Sequence, residues 1–533
     1  MDKDKNFITA IILTLMVIFF YPMLMKKVFP DKFPEPTQQN SALTTFNTDK
    51  PQVVQSNIAS ALTYSKTKSY VLETKKYNIV VNSPGGDIKS IDFSQIADPA
   101  TNLPTILMDT MDKSPGIFST PELIRNAELQ NVEVKSNALE FTYHNNDNLI
   151  ITKQIIIDPD LYKINLNINI TNKAVKDQVV PYQLVTATGI ADAAGISARF
   201  RDIIILFSDQ KNFKKNPSTI KEKKLIDGDV RMSGLLTRYF ALIVAPLTGV
   251  DYFYTYNHES GNVQGLGSNN ILVPAGQTIR HKYVLYAGTN SHEDMAALNL
   301  NIEEVRGKGF FTGFSDLLLL LMRWMFLVFK NYGLAVIALA LTINIVLYPL
   351  TYKSLKSMKE MQTLQPVVEK LRDEYKDKPE KLNKEIMEVY KKHKVNPAGG
   401  CLPMVLQMPV FFSLYGVLMR AIELRGANFL WIKDLASPDA AFTFSQKLPF
   451  LGTGLNILPL IMVVLSFAQQ KMTNPGQGGN EQQKAMALMM PIFLGFIFYN
   501  FPSGLVLYFL TNSIFSFVVQ MKLSQKFDAL ANA

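Results

Sequence analysis

The sequence has 533 residues and is 47% hydrophobic, which is too long for one domain and too apolar for an ordinary soluble protein of two, so membrane segments are expected. With a single cysteine, Cys401, the chain has no intramolecular disulfide, and a domain outside the cytoplasm must be stable through packing alone. The formal net charge is +9, and most of the excess lies beside apolar segments, which favours membrane topology over nucleic-acid binding.

The N-terminus predicts a membrane anchor followed by a linker. An apolar run from about Ile8 to Met25 is long enough to span the bilayer, and no small-residue cleavage site follows it. We interpret residues 1–28 as an uncleaved transmembrane anchor. Residues 29–66 are rich in Pro, Gln, Asn, Ser and Thr, which is typical of a linker.

Residues 67–300 predict a large antiparallel β-sandwich with few helices. Short β-branched and aromatic runs alternate with turn signals such as NSPGGD, HNND and DPD. Within YKINLNINI, polar residues alternate with Ile164, Leu166, Ile168 and Ile170, which indicates a strand with one buried face. The histidines of this region lack metal-ligand spacing and no G-x-S-x-G motif occurs, so we expect a scaffold or interaction role, with no catalytic residue and no metal site.

Residues 301–330 predict an amphipathic helix that lies in the membrane interface. The apolar run Leu317 to Phe329 is short for a span. Asp316, Arg323 and Lys330 repeat every seven residues and therefore share one helical face. The alternative is a span from which the Arg323 side chain reaches the interface.

Residues 331–525 predict a helical membrane core with five spans. The first lies within NYGLAVIALALTINIVLYPLTY, which has no charged residue and one amide, Asn344, in its middle. Four further apolar segments lie at about Cys401 to Met419, Leu448 to Ala468, Ala485 to Tyr499 and Gly504 to Val519. With the anchor this predicts six transmembrane helices. The last two are about 24 Å long as helices, which predicts a locally thinned bilayer.

Residues 353–394 carry twelve basic and eight acidic residues, which predicts a cytoplasmic location. Counting spans from there puts both termini, with the short tail 526–533, in the cytoplasm and the β domain outside. Two apolar stripes separated by KDKP predict an antiparallel helical hairpin, and a solvated charged loop is the alternative. Such a surface suits anionic lipid or ribosomal RNA. We expect client or ribosome recruitment by six basic residues: Lys370, Arg372, Lys376, Lys378, Lys381 and Lys384.

Five motifs in this half resemble the YidC family of membrane-protein insertases: YPLT at Tyr348 to Thr351, LQP at Leu364 to Pro366, NPAGGCLPMVLQMPVFFSLY at Asn396 to Tyr415, ELR at Glu423 to Arg425, and FPSGLVLY at Phe501 to Tyr508. The resemblance covers about residues 310 to 525, and the anchor and β domain match the architecture of the Gram-negative form. It implies an insertase and chaperone of the bacterial inner membrane, not an enzyme, with a hydrophilic groove for the client and no cofactor. The β domain would be periplasmic and similar to sugar-mutarotase sandwiches without their activity.

The implied partners are nascent membrane-protein clients and the lipid bilayer, with the Sec translocon and the ribosome as further partners and no small-molecule substrate. Two other functions are the alternatives. A solute transporter would show an inverted repeat with broken helices, which we do not find in the sequence. A membrane-anchored periplasmic carbohydrate-active enzyme would need a convergent carboxylate or histidine pair.

The sequence departs from the family pattern in the predicted groove. Counting back without gaps from YPLT, the family's groove arginine falls on Asn344, while Ala340 and Phe509 fall where threonine and tyrosine often stand. Arg420 lies at the outer end of the third span, where we interpret it as extending to the interface or pairing with Glu423. We therefore expect a groove that offers hydrogen bonds in place of fixed charge, lined by Asn344, Thr342, Gln407, Ser413, Tyr508 and Asn512. Ordinary contacts between buried helices are the alternative role for these side chains.

Overall fold

The structure is a computed structural model, and it describes residues 68–83, 85–97, 104–110, 115–188, 201–209, 212–220, 222–258, 261–306, 312–375, 378–393, 395–396, 402–448, 452–473 and 481–531. These residues fall into two compact units, 68–306 and 312–531. The predicted anchor and the whole predicted linker lie outside the described residues, as does Lys376.

The first unit is built from antiparallel strands, as the sequence predicts. Their bounds are β1 (Lys68–Glu73), β2 (Tyr77–Ser83), β3 (Asp87–Ala97), β4 (Pro104–Asp109), β5 (Ala127–Val134), β6 (Ala138–Asn145), β7 (Leu149–Ile157), β8 (Lys163–Asn172), β9 (Gln178–Ala187), β10 (Asp202–Phe207), β11 (Asn212–Lys215), β12 (Lys224–Asp227), β13 (Val230–Leu236), β14 (Phe240–Pro246), β15 (Tyr252–His258), β16 (Gly261–Val273) and β17 (Thr278–Thr289). Two short helices, α1 (Pro121–Ile124) and α2 (His292–Ala296), accompany them.

Three sheets form this unit. A nine-stranded sheet has the order β11-β10-β13-β14-β17-β8-β7-β6-β5, and two four-stranded sheets have the orders β1-β2-β3-β4 and β12-β15-β16-β9. Strands β13 and β14 of the large sheet contact β9 and β16, which makes the two layers of the predicted sandwich. The β1–β4 sheet also packs on the large sheet, where Phe93 stacks on Phe240 with ring centroids 5.0 Å apart.

The predicted alternation in β8 is confirmed. Ile164, Leu166, Ile168 and Ile170 are all fully buried, and the residues between them are partly exposed. Each such side chain contributes about 1.5–3 kcal/mol when it is fully buried, so a strand with this period can lie in only one register.

A lysine side chain is fully buried inside this unit. Lys153 of β7 is fully buried, and its Nζ donates to the carbonyl oxygens of Gly85 and Phe118, each at 2.8 Å. Burial lowers the pKa of Lys153 to about 8, because the charged form loses its hydration there. The ammonium thus joins two loops to the inner face of the large sheet.

The second unit is helical. Its helices are α3 (Thr312–Phe329), α4 (Tyr332–Thr363), α5 (Gln365–Glu374), α6 (Pro379–Lys392), α7 (Leu402–Leu418), α8 (Ile457–Thr473), α9 (Glu481–Phe498) and α10 (Ser503–Ala531). A two-stranded sheet, β18 (Phe442–Leu448) and β19 (Gly452–Leu455), precedes α8. Helix α4 packs on α3 and α10, and α10 also contacts α7 and α8.

Helix α3 confirms a helix in the predicted interfacial segment, with shifted bounds. Residues 302–306 form a 3₁₀ turn of the β unit, so the helix begins only at Thr312. Its inner stripe, Leu318, Met322 and Met325, is buried against the bundle. The opposite side exposes Trp324 by 62%. A helix that is apolar on both sides fits contact with protein on one side and lipid on the other.

The predicted fourth span begins too early. The sequence places it from Leu448, but Phe442–Leu448 and Gly452–Leu455 pair as strands and the helix starts at Ile457. The glycines of GTGLN explain the difference, because glycine weakens a helix and is favoured where strands turn.

The predicted helical hairpin is confirmed, but it starts later than residue 353. Helix α4 continues without interruption from the apolar stretch through Tyr352 to Thr363. The chain bends at Leu364, where Pro366 starts α5, and α6 packs back on α5. At the C-terminus α10 runs on to Ala531, so most of the predicted tail is helix.

Two of the described helices are long and apolar enough to cross a membrane, Tyr332–Thr363 and Ser503–Gln525. Three shorter apolar helical stretches lie at Gln407–Leu418, Ile457–Gln470 and Met489–Phe498. A helical membrane region beside a β-rich domain is therefore confirmed, while the count of six spans stays a prediction.

Candidate functional site

Four of the six predicted groove residues are joined by hydrogen bonds across three helices. Gln407 of α7 donates from Nε2 to the hydroxyl of Tyr508 on α10 at 2.8 Å. Asn512 lies one turn further along α10 than Tyr508. Asn344 of α4 donates from Nδ2 to Asn512 Oδ1, and to the carbonyl oxygen of Ala340 at 2.8 Å. We call these four side chains, Asn344, Gln407, Tyr508 and Asn512, the polar ladder.

Burial differs along the polar ladder. Tyr508 is fully buried, whereas Asn344, Asn512 and Gln407 are half-buried. The amide nitrogen of Asn344 makes both of its bonds, so its Oδ1 has no partner within the described part of the chain. The polar ladder is thus anchored inside the bundle, and its amides remain reachable from one side.

The remaining two predicted groove residues do not join the polar ladder. Thr342 is exposed, and its hydroxyl donates to the Ala338 carbonyl of its own helix at 2.9 Å. It stands two residues from Asn344, which is about 200° around a helix, so the two side chains face opposite directions. Ser413 is fully buried where α7 meets α3, and its hydroxyl has no partner among the described residues.

The departures from the family pattern have local explanations. Phe509, where tyrosine often stands, packs in an aromatic cluster with Phe411 at 5.5 Å and Phe498 at 4.8 Å. Ala340, where threonine often stands, is fully buried, and its carbonyl accepts the Asn344 amide. A hydroxyl at either position would need a partner in these apolar surroundings.

Residues 420–448 and 452–456 lie at the end of the bundle where α4 begins and α7 ends, the end predicted to face outward. Asp439 accepts hydrogen bonds from the first backbone N–H groups of α8, at Ile457 and Leu458. The start of α10 is tied to the same segment, because the Ser503 and Gly504 N–H groups donate to the Ser437 and Leu435 carbonyls. We call this segment the outer cap.

The strongest ion pair in the helical unit is one that the sequence interpretation missed. Arg323 of α3 donates from Nε at 2.8 Å and from Nη2 at 2.5 Å to Glu423 Oε1 in the outer cap. Of the two alternatives for Arg420, the described residues show no pairing with Glu423, and the exposed Arg420 side chain fits the other, extension to the interface. The signal was present, since an arginine inside an apolar run needs an acidic partner and the ELR motif supplies one at the same end.

The basic residues predicted for recruitment lie on the hairpin of α5 and α6. Lys370, Lys378, Lys381 and Lys384 are exposed, while Arg372 is half-buried. The Lys381 ammonium lies 5.0 Å from the centroid of the Tyr375 ring, and a hydrogen bond with Glu374 raises the pKa of that tyrosine. The surface is positively charged and open to solvent.

Within the described residues, no group of His, Cys, Asp and Glu could hold a metal ion. The site therefore consists of neutral amides and a phenol that can bind by hydrogen bonds. It carries no nucleophile next to a base, the arrangement that covalent catalysis requires.

Comparison with known proteins covers nearly the whole chain. The family profile described as 60Kd inner membrane protein matches residues 324–529, and that of the YidC periplasmic domain matches residues 69–321. A membrane protein insertase YidC of Pelobacter propionicus is 31% identical over 98% of this chain and 99% of its own length. Another, of Syntrophus aciditrophicus, is 30% identical over 96% of this chain and 98% of its own.

A solved structure titled as an active YidC insertase with the first transmembrane domain resolved aligns with 86% of this chain and 93% of its own, at 18% identity and a TM-score of 0.39. The relatives are named as insertases and not as enzymes, in agreement with the sequence prediction. With both halves matched and the relatives aligned from end to end, the chain belongs to the YidC family of membrane protein insertases, as an inner-membrane protein with a periplasmic domain.

Proposed function

We propose that this insertase moves hydrophobic client segments into the inner membrane, and helps them to fold, through a groove whose polar wall is the polar ladder. The observation that carries the proposal is a pair of hydrogen bonds that joins three helices, from Gln407 of α7 to Tyr508 of α10 and from Asn344 of α4 to Asn512 of α10. Such a wall inside an apolar bundle gives water and polar client groups a place at membrane depth.

The free-energy balance explains why a polar wall is needed. Leu, Ile, Phe and Val each favour the bilayer centre by about 0.3–0.6 kcal/mol, so a client helix gains several kcal/mol by entering lipid. A charged residue of its flank costs about 2.5–3.5 kcal/mol at the same depth. Half-buried amides at Asn344 and Asn512 lower this barrier by replacing part of the lost hydration.

The proposed topology has six transmembrane helices with both termini in the cytoplasm. The periplasmic-domain match ends at residue 321, which supports an outer location for the start of α4 at Tyr332. The apolar part of α9, from Ala485 to Phe498, extends about 21 Å as a helix, less than the hydrocarbon thickness of about 30 Å, which supports a bilayer thinned beside the groove.

The hairpin of α5 and α6 is proposed to recruit clients or the ribosome. Its exposed Lys370, Lys381 and Lys384 offer charge for acidic client flanks or for RNA phosphates. Cooperation with the Sec translocon is a further proposal, which rests on the family resemblance alone.

The groove is tested by two substitutions at Asn344. Asn344→Leu removes the amide and should slow insertion of clients with charged flanks. Asn344→Arg should speed the insertion of clients with acidic flanks more than that of clients with neutral flanks, because the arginine adds an electrostatic attraction for acidic residues that Asn344 does not provide. The measurement is insertion of a small client with an acidic or a neutral flank into proteoliposomes that hold the full chain.

Thr342→Leu is the matched control, because Thr342 lies on the same helix but faces away from the polar ladder. It should insert both clients like the parent protein. If both Asn344 variants also match the parent with both clients, the polar ladder does not line the groove.

A further inference from the structure

A tight turn at the tip of the outer cap exposes two large apolar side chains. Phe429 and Ile432 exchange backbone hydrogen bonds, each at 2.9 Å, so that Leu430 and Trp431 are the two central residues of the turn. Leu430 is 76% exposed and Trp431 is 41% exposed. We call this pair the apolar tip.

The backbone of the apolar tip is strained. Leu430 has φ +52°, in the left-handed region that glycine adopts readily and a leucine avoids. In two-residue turns this first central position is typically glycine or asparagine. A leucine that is both strained and exposed has no folding rationale, and such positions cluster where a side chain is used.

The surrounding contacts hold the apolar tip rigidly. Phe429 packs so closely on Gly333 of α4 that a Cβ there would overlap its ring. The Trp431 indole Nε1 donates to Asp439 Oδ2 at 3.2 Å, and the same carboxylate caps α8. The indole N–H is therefore satisfied inside the protein, and the exposed part of the ring is apolar.

The neighbouring residues fix the depth of the apolar tip. Asn331 caps the N-terminus of α4 and donates from Nδ2 to the Asn428 carbonyl at 3.2 Å, two residues before Leu430. The apolar tip therefore lies level with the outer end of a helix that is long and apolar enough to span the membrane. Lys433 and Arg420, in the same end of the bundle, are exposed. Tryptophan beside basic residues is typical of the boundary between acyl chains and headgroups.

We propose that the apolar tip inserts into the outer leaflet at this boundary and fixes the depth at which the helical unit sits in the bilayer. The occupant of the surface is lipid, because the apolar tip adjoins the spanning helix α4 at membrane level and carries two exposed hydrocarbon groups. This role is separate from that of the polar ladder, which contacts the client.

The experiment uses one of the two tryptophans in the chain as the probe. Trp324→Phe leaves Trp431 as the sole tryptophan of the full-length protein, which is reconstituted in vesicles of phosphatidylethanolamine and phosphatidylglycerol. Lipids brominated near the carbonyl end of the acyl chain should quench Trp431 emission more strongly than lipids brominated at the chain middle. Aqueous iodide should quench it only weakly.

Leu430→Asn in the Trp324→Phe background tests the leucine. Asparagine tolerates positive φ, so the turn is kept while the apolar group is lost. Lipid quenching of Trp431 should fall and iodide quenching should rise. Leu430→Gly, which also relieves the strain, should have the same effect. Leu272→Asn is the matched control, since Leu272 is 52% exposed on the β unit and should leave Trp431 quenching unchanged.

Two results would overturn the proposal. Quenching of Trp431 by iodide and not by brominated lipid would place the apolar tip in water. Protection from both quenchers would mean that protein covers it.

Discussion

A double-mutant cycle tests the hydrogen bond that joins α4 to α10. It compares the parent protein with Asn344→Leu, Asn512→Leu and the variant that carries both substitutions. Asn344→Leu removes this bond and the bond to the Ala340 carbonyl, and Asn512→Leu removes the acceptor of this bond. Polar contacts between membrane helices contribute about 0.6–1.7 kcal/mol each. We therefore expect a coupling energy of about 1 kcal/mol, which is about a fivefold change in the unfolding equilibrium.

The assay is unfolding of the full chain in mixed micelles with a rising fraction of dodecyl sulfate. Both tryptophans, Trp324 and Trp431, lie in the helical unit, so their emission reports on that unit alone. Asn512→Leu combined with Thr342→Leu is the control and should be additive, because Thr342 bonds only within α4. Additivity of the Asn344 and Asn512 variants, within about 0.3 kcal/mol, would refute the hydrogen bond between them.

Three further predictions concern stability. Glu423→Gln should lower the free energy of unfolding by about 1–3 kcal/mol, because it leaves the Arg323 guanidinium without its carboxylate. The charge-exchanged variant, Arg323→Glu with Glu423→Arg, should recover part of this loss. If it recovers nothing, other contacts hold Arg323. Gly333→Ala should lower the unfolding midpoint, because the new Cβ overlaps the ring of Phe429. Gly416→Ala should raise the free energy of unfolding by up to about 1 kcal/mol, because the nearest atom to its new Cβ is 3.8 Å away. Equal changes in the unfolding midpoints of the two variants would contradict this prediction. The pKa of Lys153 is about 8 when folded and 10.5 when unfolded, so the folded β unit releases this proton first, and the contribution of Lys153 to stability should rise by about 3 kcal/mol between pH 7 and pH 11. Burial raises the pKa of tyrosines in the same unit, such as Tyr77 and Tyr283, which lowers stability above about pH 10. The Lys153 contribution is therefore measured as the difference in the free energy of unfolding between the parent protein and Lys153→Met at each pH, and a difference that stays constant with pH would contradict it.

The sequence identified the four residues of the polar ladder, but not which of them pair with each other. Asn344, Gln407, Tyr508 and Asn512 stand out because amides and a phenol are rare in apolar helices and need partners there. Their pairing depends on how three helices are rotated against one another, which a single sequence does not specify. Spacing alone separates Thr342 from Asn344, since side chains two residues apart on a helix point in nearly opposite directions.

The β unit was predictable for a different reason. In β8 the alternation of Ile164 to Ile170 leaves only one face to bury, so local pattern and tertiary structure agree. The early start of the fourth span shows the opposite case. There the segment LPFLGTGL, from Leu448 to Leu455, is apolar enough to extend the predicted span, and only its glycines distinguish it from the helix that starts at Ile457.

The chemical neutrality of the polar ladder has a consequence for how insertion is driven. Side chains without charge respond neither to ionic strength nor to the transmembrane potential, so both act on the client's own charges. The potential acts on each elementary charge with about 2.3 kcal/mol per 100 mV. With no arginine at Asn344 to attract an acidic flank, outward transfer of that flank relies on the potential, and de-energised membranes should impair it more here than in relatives that carry the charge.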